Sequence, residues 1–108
     1  MDLLTQHCSP VAKGTPPLQG DAHTPFMSAL SSRWKVVDDH HLEGRFEYPD
    51  FLGALAFTNR AGTAAEAEEH HPEITVGWGE AVVQIWTHTV GGLSVNDFIL
   101  AARLDTLG

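Results

Sequence analysis

The amino-acid sequence predicts an α+β fold with the element order α-β-β-α-β-β-α, in which helices pack on one face of a four-stranded antiparallel sheet. Three observations support this prediction. Two segments alternate apolar and polar residues at the period of a strand, and each contains a turn. A long helical pattern lies between them, and a serine-capped helix follows the second. The length of 108 residues is that of one domain.

Residues 1–24 are predicted to form a flexible arm, and residues 25–108 to form the folded domain. Proline and glycine recur in the arm too densely for a helix or strand to persist. The domain begins at Thr24-Pro25, where the hydroxyl would cap a helix and proline would occupy its first position. This first helix is predicted to end at about Ser32.

The first hairpin is predicted over residues 34–47, with its turn at residues 38–40. In its second strand, Leu42, Gly44 and Phe46 would face one side of the sheet, with charged or polar residues between them. That alternation is typical of an antiparallel strand with one solvated face.

The longest helix is predicted from about Asp50 to Glu69, because apolar residues recur three or four apart along it. Pro72 disfavours helical geometry for the residue before it, His71. The helix is therefore expected to end at Glu69 or His70, which places two adjacent histidines at its C-terminal end.

A second hairpin follows this helix, with strands predicted over residues 74–78 and 81–88. A two-residue turn at Gly79-Glu80 would set the pairing of these strands. Counting outward from this turn places His71 level with His88. The histidines at the helix end are therefore predicted to meet His88 at one end of the sheet.

The last helix is predicted to begin after Ser94. The sequence over residues 94–97 approximates a capping box, with Asp97 in the position where glutamate is usual. Phe98, Ile99 and Ala102 would form the buried stripe of this helix.

The composition limits the classes of function. The net charge is −8, from 14 acidic and 6 basic residues, and such a balance builds no basic patch for nucleic acid. No apolar run reaches the roughly 18–20 residues of a membrane-spanning helix, and residues 1–5 lack the features of a secretory signal. The single cysteine, Cys8, excludes an intrachain disulfide and a Cys-rich zinc site. We therefore expect a cytoplasmic protein with a small-molecule or protein partner.

Convergence of His70, His71 and His88 would allow two kinds of chemistry. Three imidazoles could bind zinc or another divalent metal. They could also act as general acid and base on a ligand without a metal. A purely structural role is a further interpretation, since a histidine pair can cap the negative end of a helix dipole. The spacing alone leaves these interpretations open, and His40 and His41 are assigned no function.

Three motifs follow one another along the predicted domain. They are residues 66–73, which contain His70-His71-Pro72, then Thr87-His88, then the sequence Gly-Gly-Leu-Ser-Val-Asn-Asp over residues 91–97. Trp34 and Trp78 accompany them. This combination resembles the pterin-4a-carbinolamine dehydratase family in its bacterial type, from about Phe26 to Leu104.

The resemblance implies an enzyme that dehydrates 4a-hydroxytetrahydropterin to quinonoid dihydropterin, in the recycling of pterin for aromatic amino acid hydroxylation. Members of the family use no metal or organic cofactor. They form homodimers or homotetramers, and an aromatic amino acid hydroxylase is a further candidate partner. In one animal branch, the protein also serves as a dimerisation partner of a homeodomain transcription factor.

Carried over by position, the resemblance implies that His70, His71 and His88 are the catalytic residues. We expect His70 to be the base that accepts the N5 proton of the pterin. His71 or His88 would be the acid that protonates the departing 4a-hydroxyl. The residues expected to bind substrate are Glu66, Trp34, Trp78, Asp97 and Thr87.

Four of these residues have a specific expected role. Glu66 lies one helical turn before His70 and is expected to orient its ring. Trp34 and Trp78 would stack on the pterin, with core packing as the alternative. Asp97 would contact substrate or cap the last helix.

Two further functions remain open on the same scaffold. One is a non-catalytic dimerisation or regulatory partner module, which would bind a hydroxylase or another protein through its sheet edge or helices. The other is a pterin-binding protein of molybdenum-cofactor metabolism. The presence of all three histidines favours the enzyme.

Overall fold

The computed structural model describes residues 2–108 and confirms the predicted α+β fold with the order α-β-β-α-β-β-α. The helices and strands are α1 Thr24–Met27, β1 Trp34–Val37, β2 His41–Glu47, α2 Phe51–Glu68, β3 Glu73–Gly77, β4 Glu80–Ile85 and α3 Val95–Asp105. The strands form an antiparallel sheet in the order β1-β2-β4-β3. Short 3-10 helices lie at Leu3–Thr5, Gly20–His23 and His88–Val90.

The first helix is shorter than predicted. It begins at Thr24 and ends at Met27, whereas the sequence favoured a helix to about Ser32. The N–H and hydroxyl of Ser31 both donate to the Asp105 carboxylate, at 2.9 Å each. These bonds tie the chain to the end of α3, and the helix stops before it reaches them.

The first hairpin has the predicted strands. Its turn residues, Asp38 and Asp39, both have left-handed backbones, with φ of 53° and 55°. Two consecutive left-handed residues are typical of a type I′ turn, whose twist matches that of the flanking strands. The His40 N–H closes the turn by donating to the Val37 carbonyl at 2.9 Å.

The predicted turn of the second hairpin is wrong by one residue. Gly77 pairs with Glu80, so the turn residues are Trp78 and Gly79. Gly79 has a φ of 81°, which glycine adopts at low cost, and its carbonyl accepts the Tyr48 N–H at 2.8 Å. Moving a turn by one residue changes each cross-strand partner by two, so every side chain keeps its predicted face. The error in the turn therefore does not change the end of the sheet at which the histidines were predicted to lie.

The core lies between the sheet and the helices α2 and α3. Phe46 of β2 stacks on Phe57 of α2 with ring centroids 4.1 Å apart, and both side chains are fully buried. Ala61 and Ala65 continue the buried stripe of α2 toward its C-terminal end. Their small side chains let this helix lie close to the sheet, which sets the position of the residues that follow it.

The segment before α1 contacts the domain over much of its length. Met1 of the predicted arm lies outside the described residues. Leu3 is buried in the core, and the Leu18 N–H donates to the Leu93 carbonyl at 2.8 Å. The mobility of residues 1–24 stays a prediction, whereas their contacts bear directly on the site.

Candidate functional site

The end of α2 directs the first histidine away from the helix. Glu69 has a left-handed backbone with φ of 53°, and it follows the last helical residue, Glu68. The His70 N–H donates to the Ala65 carbonyl and the Glu69 N–H to the Glu66 carbonyl, both at 3.1 Å. This pair of bonds is the Schellman motif, which usually places glycine at the left-handed residue. Glutamate there costs about 1 kcal/mol.

His70 forms a short hydrogen bond with a buried carboxylate. Its Nε2 lies 2.6 Å from Asp97 Oδ1. The side chain of His70 is 12% exposed and that of Asp97 is 0% exposed. Glu66 was expected to orient this ring, but it contacts His71 instead. The left-handed backbone of Glu69 ends the helix, so His70 does not lie one helical turn after Glu66.

Asp97 is held by groups from two other segments. Its Oδ2 accepts the Ser94 N–H at 2.8 Å and the Thr87 hydroxyl at 2.9 Å. The Ser94 hydroxyl lies 2.7 Å from that of Thr87 and accepts the Asn96 N–H at 3.3 Å, which completes the predicted capping box. A single carboxylate thus joins the end of α2, the segment after β4 and the start of α3.

His71 has a carboxylate partner of its own, on the surface. Its Nε2 lies 2.6 Å from Glu66 Oε1. The side chains are 64% exposed for His71 and 78% exposed for Glu66. Solvent and salt screen such a pair, so it holds the ring much less firmly than a buried pair would.

His88 lies beside an aromatic ring. It opens a 3-10 turn over residues 88–90, and the Thr87 N–H donates to the Gly92 carbonyl at 2.8 Å across the base of this loop. The ring of His88 stacks on Trp86, with centroids 4.7 Å apart and planes inclined by 27°. The side chain of His88 is exposed.

The three predicted histidines line one cavity of about 490 Å³. A volume in the range of roughly 300–1,000 Å³ is usual for small-molecule sites. The other residues that line it are Cys8, Ser9, Pro10, Val11, Glu68, Glu69, Trp86, Thr87, Thr89 and Asn96. The predicted meeting of His70, His71 and His88 is therefore present, and their catalytic roles stay a prediction.

Trp34 and Trp78 were expected to line the pterin pocket, but neither of them lines this cavity. Trp34 is 4% exposed, and its Nε1–H donates to Asp105 at 2.9 Å. Its ring lies so close to Gly44 that a Cβ there would meet it at 2.6 Å. Trp78 is 76% exposed in the turn of the second hairpin, at the opposite end from His88. Trp34 therefore packs in the core, and Trp78 is an exposed residue of the hairpin turn.

The remaining predicted substrate-binding residues support the histidines. Thr87 lines the cavity, but it is 5% exposed and its hydroxyl donates to Asp97. Asp97 is fully buried beneath His70, and Glu66 contacts His71 on the surface. Their contacts in the structure are with other protein groups, and a direct contact with substrate stays a prediction.

The contacts of the N-terminal arm with the cavity were not predicted from the sequence. Residues 8–11 line the cavity, and they bond to Glu68 and Asn96, which lie 60 and 87 positions away along the chain. No local pattern signals a contact over such separations. Trp86 was noticeable from sequence, because it shares a strand face with His88.

Two titratable groups where the arm meets the cavity have shifted pKa values. Burial and the nearby Glu68 carboxylate raise the pKa of the Cys8 thiol to about 12. Burial alone would raise the pKa of Glu68. The Cys8 N–H, His7 and Arg103 together outweigh that effect and leave its pKa below the ordinary value. Cys8 is therefore a neutral thiol and Glu68 a charged carboxylate at neutral pH.

Residues 2–108 show neither a cluster of metal ligands nor a membrane-spanning helix. Within this range, no group of three or more His, Cys, Asp and Glu side chains is arranged to hold a metal ion. Among the described helices, none has the length and apolarity needed to cross a membrane.

Solved structures resemble this fold. A crystal structure of a transcriptional coactivator/pterin dehydratase from Brucella melitensis matches with a TM-score of 0.77 and 26% identity, covering 84% of this chain and 97% of that one. A pterin dehydratase-like protein, identified as a RuBisCO assembly factor in the alpha-carboxysome, matches with a TM-score of 0.59. Its identity is 22% over 68% of this chain and 87% of that one, which shows the fold alone.

Sequence relatives cover nearly the whole chain. A protein from Alkaliphilus metalliredigens is 42% identical over 104 residues, which are 96% of this chain and 94% of the relative. One from Chlorobium limicola is 46% identical over 105 residues, which are 94% of this chain and 92% of the relative. Both carry the name "Putative pterin-4-alpha-carbinolamine dehydratase". The family model described as pterin 4 alpha carbinolamine dehydratase matches residues 16–107. This chain therefore belongs to the pterin 4 alpha carbinolamine dehydratase family.

Proposed function

We propose that this protein dehydrates 4a-hydroxytetrahydropterin to quinonoid dihydropterin by acid–base catalysis with histidines, in pterin recycling for aromatic amino acid hydroxylation. The observation that carries the proposal is the cavity lined by His70, His71 and His88. Membership of the family supplies the class of substrate. Each ring has a different partner, and those partners support a division of roles.

His70 is the base in this proposal. Its Nε2 faces the buried Asp97 carboxylate at 2.6 Å, so the ring proton belongs on that nitrogen and Nδ1 is left free to accept one. Asp97 also compensates the charge that the ring gains on protonation, as a carboxylate does behind a catalytic histidine. The bonds of Asp97 to Ser94 and Thr87 keep this ring in one orientation.

His88 is the preferred acid. Its ring stacks on Trp86 with centroids 4.7 Å apart, and this stack constrains the position of the ring in the cavity. The surface pair of His71 with Glu66 gives a weaker constraint on ring position, which makes His71 the second choice. His71 then serves to contact the pterin.

The reaction balances with these two groups. The His88 imidazolium donates its proton to the 4a-hydroxyl, and the C4a–O bond breaks to release water. The N5 proton passes to His70 Nδ1, and the electron pair of the N–H bond forms the C4a=N5 double bond. Proton exchange with solvent then restores both rings, so no oxidant, reductant or metal is consumed.

The test is a spectrophotometric assay with freshly generated 4a-carbinolamine. Wild type should accelerate its dehydration, and His70→Ala or His88→Ala should lower kcat by roughly 10²–10⁴-fold, the usual contribution of a positioned acid or base. Thr75→Ala, on the exposed face of β3, is the control and should match wild type. No acceleration by wild type, or full activity in both histidine variants, would contradict the proposed dehydratase activity.

A partner module is the second candidate, because the related Brucella melitensis structure is described as a transcriptional coactivator as well as a pterin dehydratase. A pterin-binding role in molybdenum-cofactor metabolism is the third. Inactive wild type that still binds pterin would favour the third, and inactive wild type that binds none would favour the second. Assembly as a homodimer or homotetramer, contact with a hydroxylase and a cytoplasmic location stay predictions.

A further inference from the structure

Part of the N-terminal segment lines the histidine cavity. Residues 8–11 line this cavity together with the three histidines. We call these four residues the strap. They are anchored to the domain at three points, which are Glu68, Asn96 and Thr89.

The first anchor is a buried carboxylate at the end of α2. Glu68 Oε1 accepts the Cys8 N–H at 2.7 Å, and Oε2 lies 2.8 Å from His7 Nδ1. Arg103 Nε is 3.5 Å from the same Oε2. The side chain of Glu68 is only 7% exposed, so little solvent competes for these contacts.

The second anchor is an amide in the first turn of α3. The Ser9 N–H donates to Asn96 Oδ1 at 3.1 Å, and Asn96 Nδ2 donates back to the Ser9 carbonyl at 2.7 Å. The Cys8 thiol donates to the Asn96 carbonyl at 3.4 Å. Asn96 is 4% exposed, and both polar ends of its amide are satisfied by the strap.

The third anchor is a hydroxyl in the 3-10 turn over residues 88–90. The Thr89 hydroxyl donates to the Val11 carbonyl at 3.2 Å. Each anchor is therefore a near neighbour in sequence of a group in the proposed reaction. Glu68 precedes His70 by two residues, Asn96 adjoins Asp97, and Thr89 adjoins His88.

We propose that the strap is a wall of the pterin site that retains the bound ring, and that Glu68 and Asn96 are positioning residues for it. The inference rests on the proposed function and adds the determinant of pterin retention. The anchored backbone groups of Cys8, Ser9 and Val11 already have partners, so the strap contacts the ring mainly through apolar groups, among them Pro10 and Val11. No strap group moves a proton in the mechanism.

Loosening the strap is therefore expected to affect KM rather than kcat. A wall that holds substrate supplies binding that is shared by the ground state and the transition state. Asn96→Ala removes both amide bonds and puts a good helix former in the first turn of α3. KM should rise about tenfold while kcat stays within about twofold of wild type. Asn59→Ala, on the exposed face of α2, is the matched control. An unchanged KM, or a fall in kcat as large as the rise in KM, would overturn the proposal.

A second pair of variants tests the wall and keeps the anchoring side chains of Glu68, Asn96 and Thr89. Val11 lines the cavity and is half-buried, whereas Ala12 is exposed and follows it directly. Val11→Trp should change KM at least about fivefold, because an indole fills part of the space for the ring. Ala12→Trp should leave KM within about twofold. Equal effects of the two substitutions would count against the wall.

A third test needs no turnover. Cys8 is the single cysteine, so the rate of its reaction with a thiol reagent reports on the strap. Saturating 7,8-dihydrobiopterin should slow this reaction about fivefold or more in wild type. Asn96→Ala should react faster and gain less protection. Protection without dehydratase activity would support the proposal that the strap is a wall and would contradict the proposed enzymatic function. Activity without protection would contradict the wall alone.

Discussion

Two adjacent histidines have the same kind of partner at the same distance but lie in opposite environments. His70 lies 2.6 Å from Asp97, and His71 lies 2.6 Å from Glu66. The first pair is 12% and 0% exposed, and the second is 64% and 78% exposed. Distance alone therefore does not show which carboxylate orients its histidine more strongly. Burial decides how much each carboxylate orients its ring, because screening by water and salt removes most of the energy of an exposed pair.

The largest expected difference between the pairs is in stability. Asp97→Ala leaves the Ser94 N–H, the Thr87 hydroxyl and His70 without their acceptor. The free energy of unfolding should fall by roughly 3–5 kcal/mol, as when one partner of a buried pair is removed. Urea denaturation measures it, and Asp97→Asn, which keeps the shape, should cost less. A loss below about 1 kcal/mol for Asp97→Ala would remove the distinction between the two pairs.

The next difference is in catalysis. His70→Gln should lower kcat by about 10²-fold or more, because the ring held by Asp97 is the proposed base. His71→Gln should lower kcat by less than about tenfold and act mainly on KM. The carbinolamine assay on both variants at one pH gives the comparison. Equal losses of kcat would mean that burial does not separate the roles of the two histidines.

Glu68 adds a third carboxylate, buried but bonded to the strap, and its effect depends on pH. Its folded pKa lies below the ordinary value of 4.5, so the stability that it contributes is present above that value. This contribution is lost as pH falls through the folded pKa. We therefore expect the strap to loosen below about pH 4.5. A disulfide reagent that reacts at acidic pH, such as 4,4′-dithiodipyridine, should label Cys8 faster there.

The matched control for this pH effect is Glu68→Gln, which carries no charge to titrate. Labelling of Cys8 in this variant should already be fast near pH 6 and should rise little as the pH is lowered. A wild-type labelling rate that stays flat from pH 6 to below the ordinary pKa of Glu68 would contradict the prediction.

The smallest effect belongs to the exposed pair. Glu66→Gln should change the free energy of unfolding by less than about 0.5 kcal/mol, since surface ion pairs are screened. Added salt should remove what difference remains. Thermal unfolding at low and high salt measures it. A loss above about 1 kcal/mol would place Glu66 with Asp97 as a structural carboxylate.

Local patterns in the sequence were sufficient for most of the fold. The alternation over residues 41–47 and the helical repeat from Asp50 depend only on the periods of strand and helix, and both elements form as predicted. Ser94 and Asp97 form the predicted capping box because a cap depends on neighbours within one turn. For the same reason, the end of the helix that precedes His70 and His71 was predictable to within two residues.

Contacts that depend on the path of the chain beyond one helix or strand were decided by the tertiary structure. Glu66 meets His71 rather than His70 because one left-handed residue, Glu69, redirects the chain after α2. Trp34 packs on Gly44 in the core, which its sequence neighbourhood does not reveal.

By itself, the sequence determined the order of elements, the three histidines and their meeting at one end of the sheet. Each of these follows from periodicity, caps and the short connection between paired strands. The tertiary structure alone decided that Asp97 is the buried partner of His70 and that residues 8–11 line the cavity. Such contacts depend on how helices and arm pack on the sheet, and side chains 27 or 87 positions apart carry no local signal of it.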